Sequence, residues 1–184
     1  MIDEDAYLIS NLLKLGIYSI HLRKPEATIN ECRQLLSQLT DNERAKIIIH
    51  DYPELYTEFS LKGIHINKNI TSLPDDYNGF KTRSCHSFEE IKRYKSDYDY
   101  LFLSPIFDSI SKVGYKSAFT KEELLKASTS DLIDHKIIAL GGITLDMLPY
   151  FQELNFGGIA MIGGIYNTNM INNLTHLYSH PYIY

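Results

Sequence analysis

The 184-residue chain has no tryptophan and only two cysteines, Cys32 and Cys85. Two thiols without metal-type spacing argue against a disulfide scaffold and a cysteine-built zinc site, and they suit a reducing cytosol. No apolar run is long enough to cross a bilayer. The start, MIDED (1–5), lacks the basic-then-apolar order of a secretory leader. No lysine-arginine run stands out and the formal net charge is −5, so duplex nucleic acid and anionic membrane are poor partners. Linkers, repeats and low-complexity segments are also missing. What is present is 44% hydrophobic and 22% charged residues, the balance of one globular domain spanning 1–184 with a substantial core. Fourteen tyrosines are unusual, but they carry no function by themselves.

Strand-like and helix-like segments alternate along the chain. Asp3 is expected to cap a helix whose apolar positions Ala6, Ile9, Leu12 and Leu13 share a face and which Gly16 stops. Strands are expected at 17–22, 46–50, 63–66, 81–85, 100–103, 136–140 and 158–162. Capping boxes are expected at Thr28/Glu31, Ser87/Glu90 and Thr120/Glu123. Helices follow each box, with others over 53–61, from about Asp146 to Leu154, and from about Met170 to Tyr178. This order implies a parallel α/β sheet with right-handed crossovers. Seven strands are one short of a closed barrel of eight, so the expected fold is a TIM (β/α)8-type barrel lacking or shortened at its first strand.

In such a barrel the chemistry collects where strands end. The sixth strand runs into Gly141-Gly142 and the seventh into Gly163-Gly164. Paired glycines before a helix expose backbone N–H groups that suit a phosphate. Plain turn residues are the alternative reading. The other strand ends carry His21 and Arg23, His50 and Asp51, His65 and Asn67, and Ser84 and His86. The loop after the fifth strand carries Ser109, Ser111 and Lys112. Arginine, lysine and serine around glycine turns hold phosphates, and Asp51 could hold magnesium on them or cap the next helix. His21, His50, His65 and His86 lie on four neighbouring strands. They raise a rival idea, a transition-metal hydrolase, but no H-x-H pair or further carboxylate completes a ligand set. His65 reads better as a hydrogen-bonded core histidine than as a ligand.

Several stretches resemble the thiamine phosphate synthase/TenI family: HLRKP (21–25), HD (50–51), GIHI (63–66), SCHSFEE (84–90), DYLFLSPIFDSISK (99–112), ALGGIT (139–144) and GGIAMIGGI (157–165). The resemblance implies an enzyme of thiamine biosynthesis that joins a hydroxymethylpyrimidine diphosphate to a thiazole phosphate and releases pyrophosphate. It implies Arg23, Ser84 and Lys112 on the diphosphate, Mg2+ at Asp51, and the backbone of Gly141, Gly142, Gly163 and Gly164 on the thiazole phosphate. It also suggests a homodimer.

The chain departs from the family pattern in places. The family's Arg-x-Lys reads Arg23-Lys24-Pro25, and its Asn-Asp reads His50-Asp51. Its Gly-Gln-x-Asp after GIHI reads Asn67-Lys68-Asn69-Ile70, which removes the second magnesium carboxylate and offers Lys68 as a direct countercharge. The glycine before Pro105 is Ser104. Two further readings follow from the resemblance. One is a thiazole tautomerase, whose catalytic histidine falls at Pro105 and would have to be replaced by His86 or His21. The other is a binder of thiazole phosphate or thiamine phosphate without turnover.

Overall fold

The computed structural model describes residues 2–70, 72–107 and 119–162, in two compact units, Met1–Thr82 and Arg83–Tyr184. Ser109, Ser111, Lys112, Gly163, Gly164 and the helix expected near 170–178 lie outside the described residues.

The first unit opens with α1 (Ile2–Lys14), so Asp3 lies in the first turn and not at the cap. Ala6, Ile9, Leu12 and Leu13 are all buried, as their spacing requires. Gly16 ends the helix at φ +81°, a left-handed conformation that glycine adopts without steric conflict. β1 (Ile20–Leu22) is shorter than its apolar run, because pairing begins only where Ile20 N–H reaches the Lys46 carbonyl at 3.0 Å. α2 (Ile29–Ser37) starts from the expected capping box. The Thr28 hydroxyl accepts from Glu31 N–H, and the Glu31 carboxylate accepts from Thr28 N–H. A one-turn helix, α3 (Asp41–Arg44), carries a second box of the same kind at Thr40/Glu43. At four residues it is too short for apolar periodicity to reveal it.

β2 (Ile47–Ile49) is buried on both faces. α4 (Leu55–Phe59) ends at Ser60, which is left-handed at φ 51°. β3 (Gly63–His65) and β4 (Phe80–Cys85) complete the unit's ladder. The strands are parallel and in chain order: Leu22 lies beside Ile49, Ile49 beside Ile64, and His65 beside Thr82. A Cβ at Gly63 would stand 2.2 Å from the Phe80 carbonyl oxygen, so the two strands meet there only because residue 63 has no side chain. Tyr77 fastens this edge: its hydroxyl accepts from Ile64 N–H at 2.8 Å and donates to the Phe80 carbonyl at 2.6 Å. Leu35, Leu36, Ile47, Ile49, Leu55 and Ile64 are the centre of the core.

In the second unit, the last residues of β4 receive a bond from Ser104 N–H to the Cys85 carbonyl at 3.0 Å. α5 (Phe88–Tyr94) is capped by Ser87, but Glu90 reaches one residue further back than a standard box and accepts from His86 N–H at 2.6 Å. β5 (Tyr100–Leu103) is wholly buried. α6 (Lys121–Thr129) starts from the full Thr120/Glu123 box. β6 (Ile137–Leu140) lies between β5 and β7 (Gly158–Ala160), all parallel. Before β7 comes a 3-10 turn, Leu145–Met147, and α7 (Leu148–Glu153), with Pro149 in the first turn, where its missing N–H is tolerated.

Candidate functional site

The register of the first unit brings three histidines to one face. His21 lies beside Ile48, so His50, two residues on, faces the same way. Ile49 lies beside Ile64, so His65 comes next to His50. The rings confirm the placement. His50 stacks on His65, with centroids 4.1 Å apart and planes 11° apart. His21 stands edge-on to both, at 5.1 and 5.7 Å. One ring nitrogen from each of the three lies within 4.8 Å of the others.

Each ring is held. His21 Nδ1 and His50 Nε2 share a hydrogen bond of 2.8 Å. His65 is buried, as a core histidine should be, and its Nδ1 meets Thr82 Oγ1 at 2.9 Å. Burial holds His21 well below the usual imidazole range, with repulsion from His65 and Lys62 adding to it. Burial does the same at His50, followed by repulsion from His65, His21 and Arg23. His21 and His50 are therefore neutral imidazoles at neutral pH.

The nearby cations and polar groups divide into used and available. Arg23 lies one residue past β1 and is exposed, so no buried charge demands a partner there. Lys24 is engaged by the chain itself, in an ion pair with Asp5 of α1. Asp51 is partly buried and does not cap α4, whose N-cap is Glu54. Its charge raises the Cys32 thiol pKa, though less than burial does. Asn67 Nδ2 donates to the His50 carbonyl at 2.7 Å, and its Oδ1 accepts from Asn69 N–H at 2.8 Å. Lys68 is exposed.

In the second unit, Gly141 and Gly142 both have positive φ, +100° and +65°. The helix expected from about Asp146 begins as a 3-10 turn over Leu145–Met147 and continues as α7, so Ile143 and Thr144 separate the glycines from it. Gly141 also has a packing reason to be glycine, since a Cβ there would lie 2.9 Å from Pro105 Cα. The Ser104–Pro105 bond is cis. His86 is exposed, and its Nδ1 meets the Ser104 carbonyl at 2.8 Å. A carbonyl can only accept, so Nδ1 carries the hydrogen and neutral His86 keeps its lone pair on Nε2. Ser84 is partly buried on β4.

Sequence reasoning missed Thr82, the polar partner of His65, and noted Asn67 at its strand end without its bond to the His50 carbonyl. Thr82 stands in no motif, and only the β3–β4 register puts it beside His65. No helix among the described residues is long and apolar enough to cross a membrane.

Known proteins match this chain along most of its length. The thiamine monophosphate synthase family profile matches residues 2–165. Thiamine-phosphate synthase of Photorhabdus laumondii is 29% identical over 166 residues, covering 85% of this chain and 76% of that protein. The solved structure of thiamine phosphate pyrophosphorylase from Bacteroides thetaiotaomicron is 34% identical with a TM-score of 0.79, covering 96% of this chain and 93% of that one. The structure named thiamine phosphate pyrophosphorylase from Pyrococcus furiosus is 19% identical with a TM-score of 0.73, covering 94% and 86%, and shows likeness of fold alone. The α/β, TIM-barrel-type fold expected from the strand pattern is the one these structures share. The chain belongs to the thiamine monophosphate synthase family.

Proposed function

We propose that this chain is a thiamine-phosphate synthase, joining hydroxymethylpyrimidine diphosphate to thiazole phosphate with release of pyrophosphate. One observation carries the reading: 34% identity to a solved thiamine phosphate pyrophosphorylase, sustained over 96% of the chain. In the reaction the carbon–oxygen bond to the diphosphate breaks and its electron pair leaves with pyrophosphate. The thiazole nitrogen then gives its lone pair to the pyrimidine methylene carbon. No covalent enzyme intermediate is needed. The work is neutralising the leaving group and positioning the nitrogen.

The roles assigned here rest on the family resemblance. Arg23, Ser84 and Lys112 take the diphosphate, and the exposure of Arg23 leaves its guanidinium open to an arriving anion. The amides of Gly141, Gly142, Gly163 and Gly164, with Ser109 and Ser111, take the thiazole phosphate. Magnesium prefers oxygen donors, and Asp51 is one carboxylate. The stretch after β3 adds none, because Asn67 is committed to His50 and Asn69 and the neighbouring Lys68 is a cation. Mg2+ therefore fits at Asp51 only with oxygens from the diphosphate, whose charge it would offset. We further read the protein as a cytoplasmic homodimer. Two buried free thiols, Cys32 and Cys85, are in keeping with a reducing compartment.

The test is incubation with both substrates, with and without Mg2+, following pyrophosphate and thiamine phosphate. The expected result is equal amounts of both products, only with magnesium. Thermal stabilisation by thiazole phosphate without turnover would leave a binder. The His86 geometry favours one second reading, a thiazole tautomerase using Nε2 as base. That activity would need neither magnesium nor the pyrimidine diphosphate, and would disappear in His86→Gln.

A further inference from the structure

The magnesium role leaves the histidine cluster unexplained, since imidazole nitrogen is a poor ligand for that ion. We propose that His21, His50 and His65 form a tri-histidine site for one divalent transition-metal ion, with zinc as the type. Three imidazoles on three adjacent parallel strands are a sufficient protein ligand set, with a fourth position left to water or a substrate oxygen.

The geometry supports this on several counts. The strand register sets the common face, so the backbone sends all three side chains to one side of the sheet. The three nitrogens already lie within 4.8 Å of one another. Metal–nitrogen bonds of about 2.0–2.1 Å require only that the 2.8 Å His21–His50 contact open slightly and that the His65 ring tilt from its stack. Thr82 Oγ1 meets His65 Nδ1 at 2.9 Å, the kind of outer contact that metal-binding histidines usually have. Asn67 fixes the main chain at His50. The rival is a dry, hydrogen-bonded histidine cluster with no affinity for metals.

The experiment uses the full chain, stripped with a chelator and then titrated with Co2+ and, separately, Zn2+. The expected result is one equivalent of cobalt with the visible absorption of a four-coordinate ion, displaced by one equivalent of zinc and indifferent to excess Mg2+. His21→Gln and His50→Asn each weaken binding by about 100-fold, Thr82→Val by roughly tenfold, and His135→Gln, on an exposed residue, leaves it unchanged. Circular dichroism establishes that each variant is folded. A folded wild-type protein that takes up no cobalt or zinc overturns the proposal, whatever the variants do. Binding that survives in the folded His21→Gln/His50→Asn double variant also overturns it. Pyrophosphate release is a separate readout, so failure of the metal site leaves the synthase reading standing, and the reverse.

Discussion

Asn67 Nδ2 donates to the His50 carbonyl oxygen at 2.7 Å, while Asn67 Oδ1 accepts from Asn69 N–H at 2.8 Å. One amide thus fastens the end of β2 to the loop leaving β3. Asn67→Ala leaves a partly buried carbonyl without its donor, and urea unfolding should show a loss of about 1 kcal/mol. Asn67→Asp keeps the bond to Asn69 but cannot donate, so it should lose a similar amount. A variant as stable as the wild type would mean that water replaces the amide at no cost.

Gly141 combines a φ of +100° with a neighbour that a methyl group would touch, Pro105 Cα at 2.9 Å. Gly141→Ala should destabilise the protein by about 1–3 kcal/mol, visible as a lower thermal midpoint. If its amide also binds thiazole phosphate, KM for that substrate rises as well. A lower midpoint with an unchanged KM would confine Gly141 to packing.

Thr28→Ala removes the cap of α2 and should reduce stability by about 1 kcal/mol near neutral pH. Glu31 adds a pH dependence. The Thr28 amide and then its hydroxyl hold the Glu31 carboxyl below its ordinary range. The folded state therefore binds that proton less readily than the unfolded chain. The stabilisation is fully present above the ordinary glutamate range and is lost as pH falls below that range, through the lowered pKa of the folded state. Paired urea titrations should show the gap between wild type and Thr28→Ala narrowing in acid. A gap that stays constant would mean that the carboxylate takes no part in the cap.

Burial, with Glu90 adding to it, pushes the Cys85 thiol up to about 12. Burial also raises Cys32, with Asp51 contributing. Both side chains are shielded, so iodoacetamide at mildly alkaline pH should label neither in the folded protein and both in denaturant, read by intact mass. Labelling of folded Cys85 would show that β4 opens readily.

The features readable from sequence were mostly the local ones. The Thr28/Glu31 and Thr120/Glu123 boxes and the buried stripe of α1 need only neighbouring residues, and all three form as expected. Strand lengths were overestimated at Ile17–Leu22 because a strand extends only as far as its partner, and β2 is three residues long. The histidines were noticed at their strand ends, yet no ligand set was recognised. An H-x-H pattern lies along one strand, whereas here the convergence runs across three, through the register that sets His50 beside His65. Thr82, and the bond from Asn67 to the His50 carbonyl, stayed hidden for the same reason. Lys24 stands one place early against the family's Arg-x-Lys, and nothing in the sequence showed that α1 would bring Asp5 to it.

The tight approach of Gly63 to the Phe80 carbonyl has a genetic corollary. Any larger residue would wedge β3 away from β4, and the first casualty two places along would be the contact between His65 and Thr82. A screen for loss of activity should therefore recover position 63 among its hits, although nothing there can bind, ionise or react.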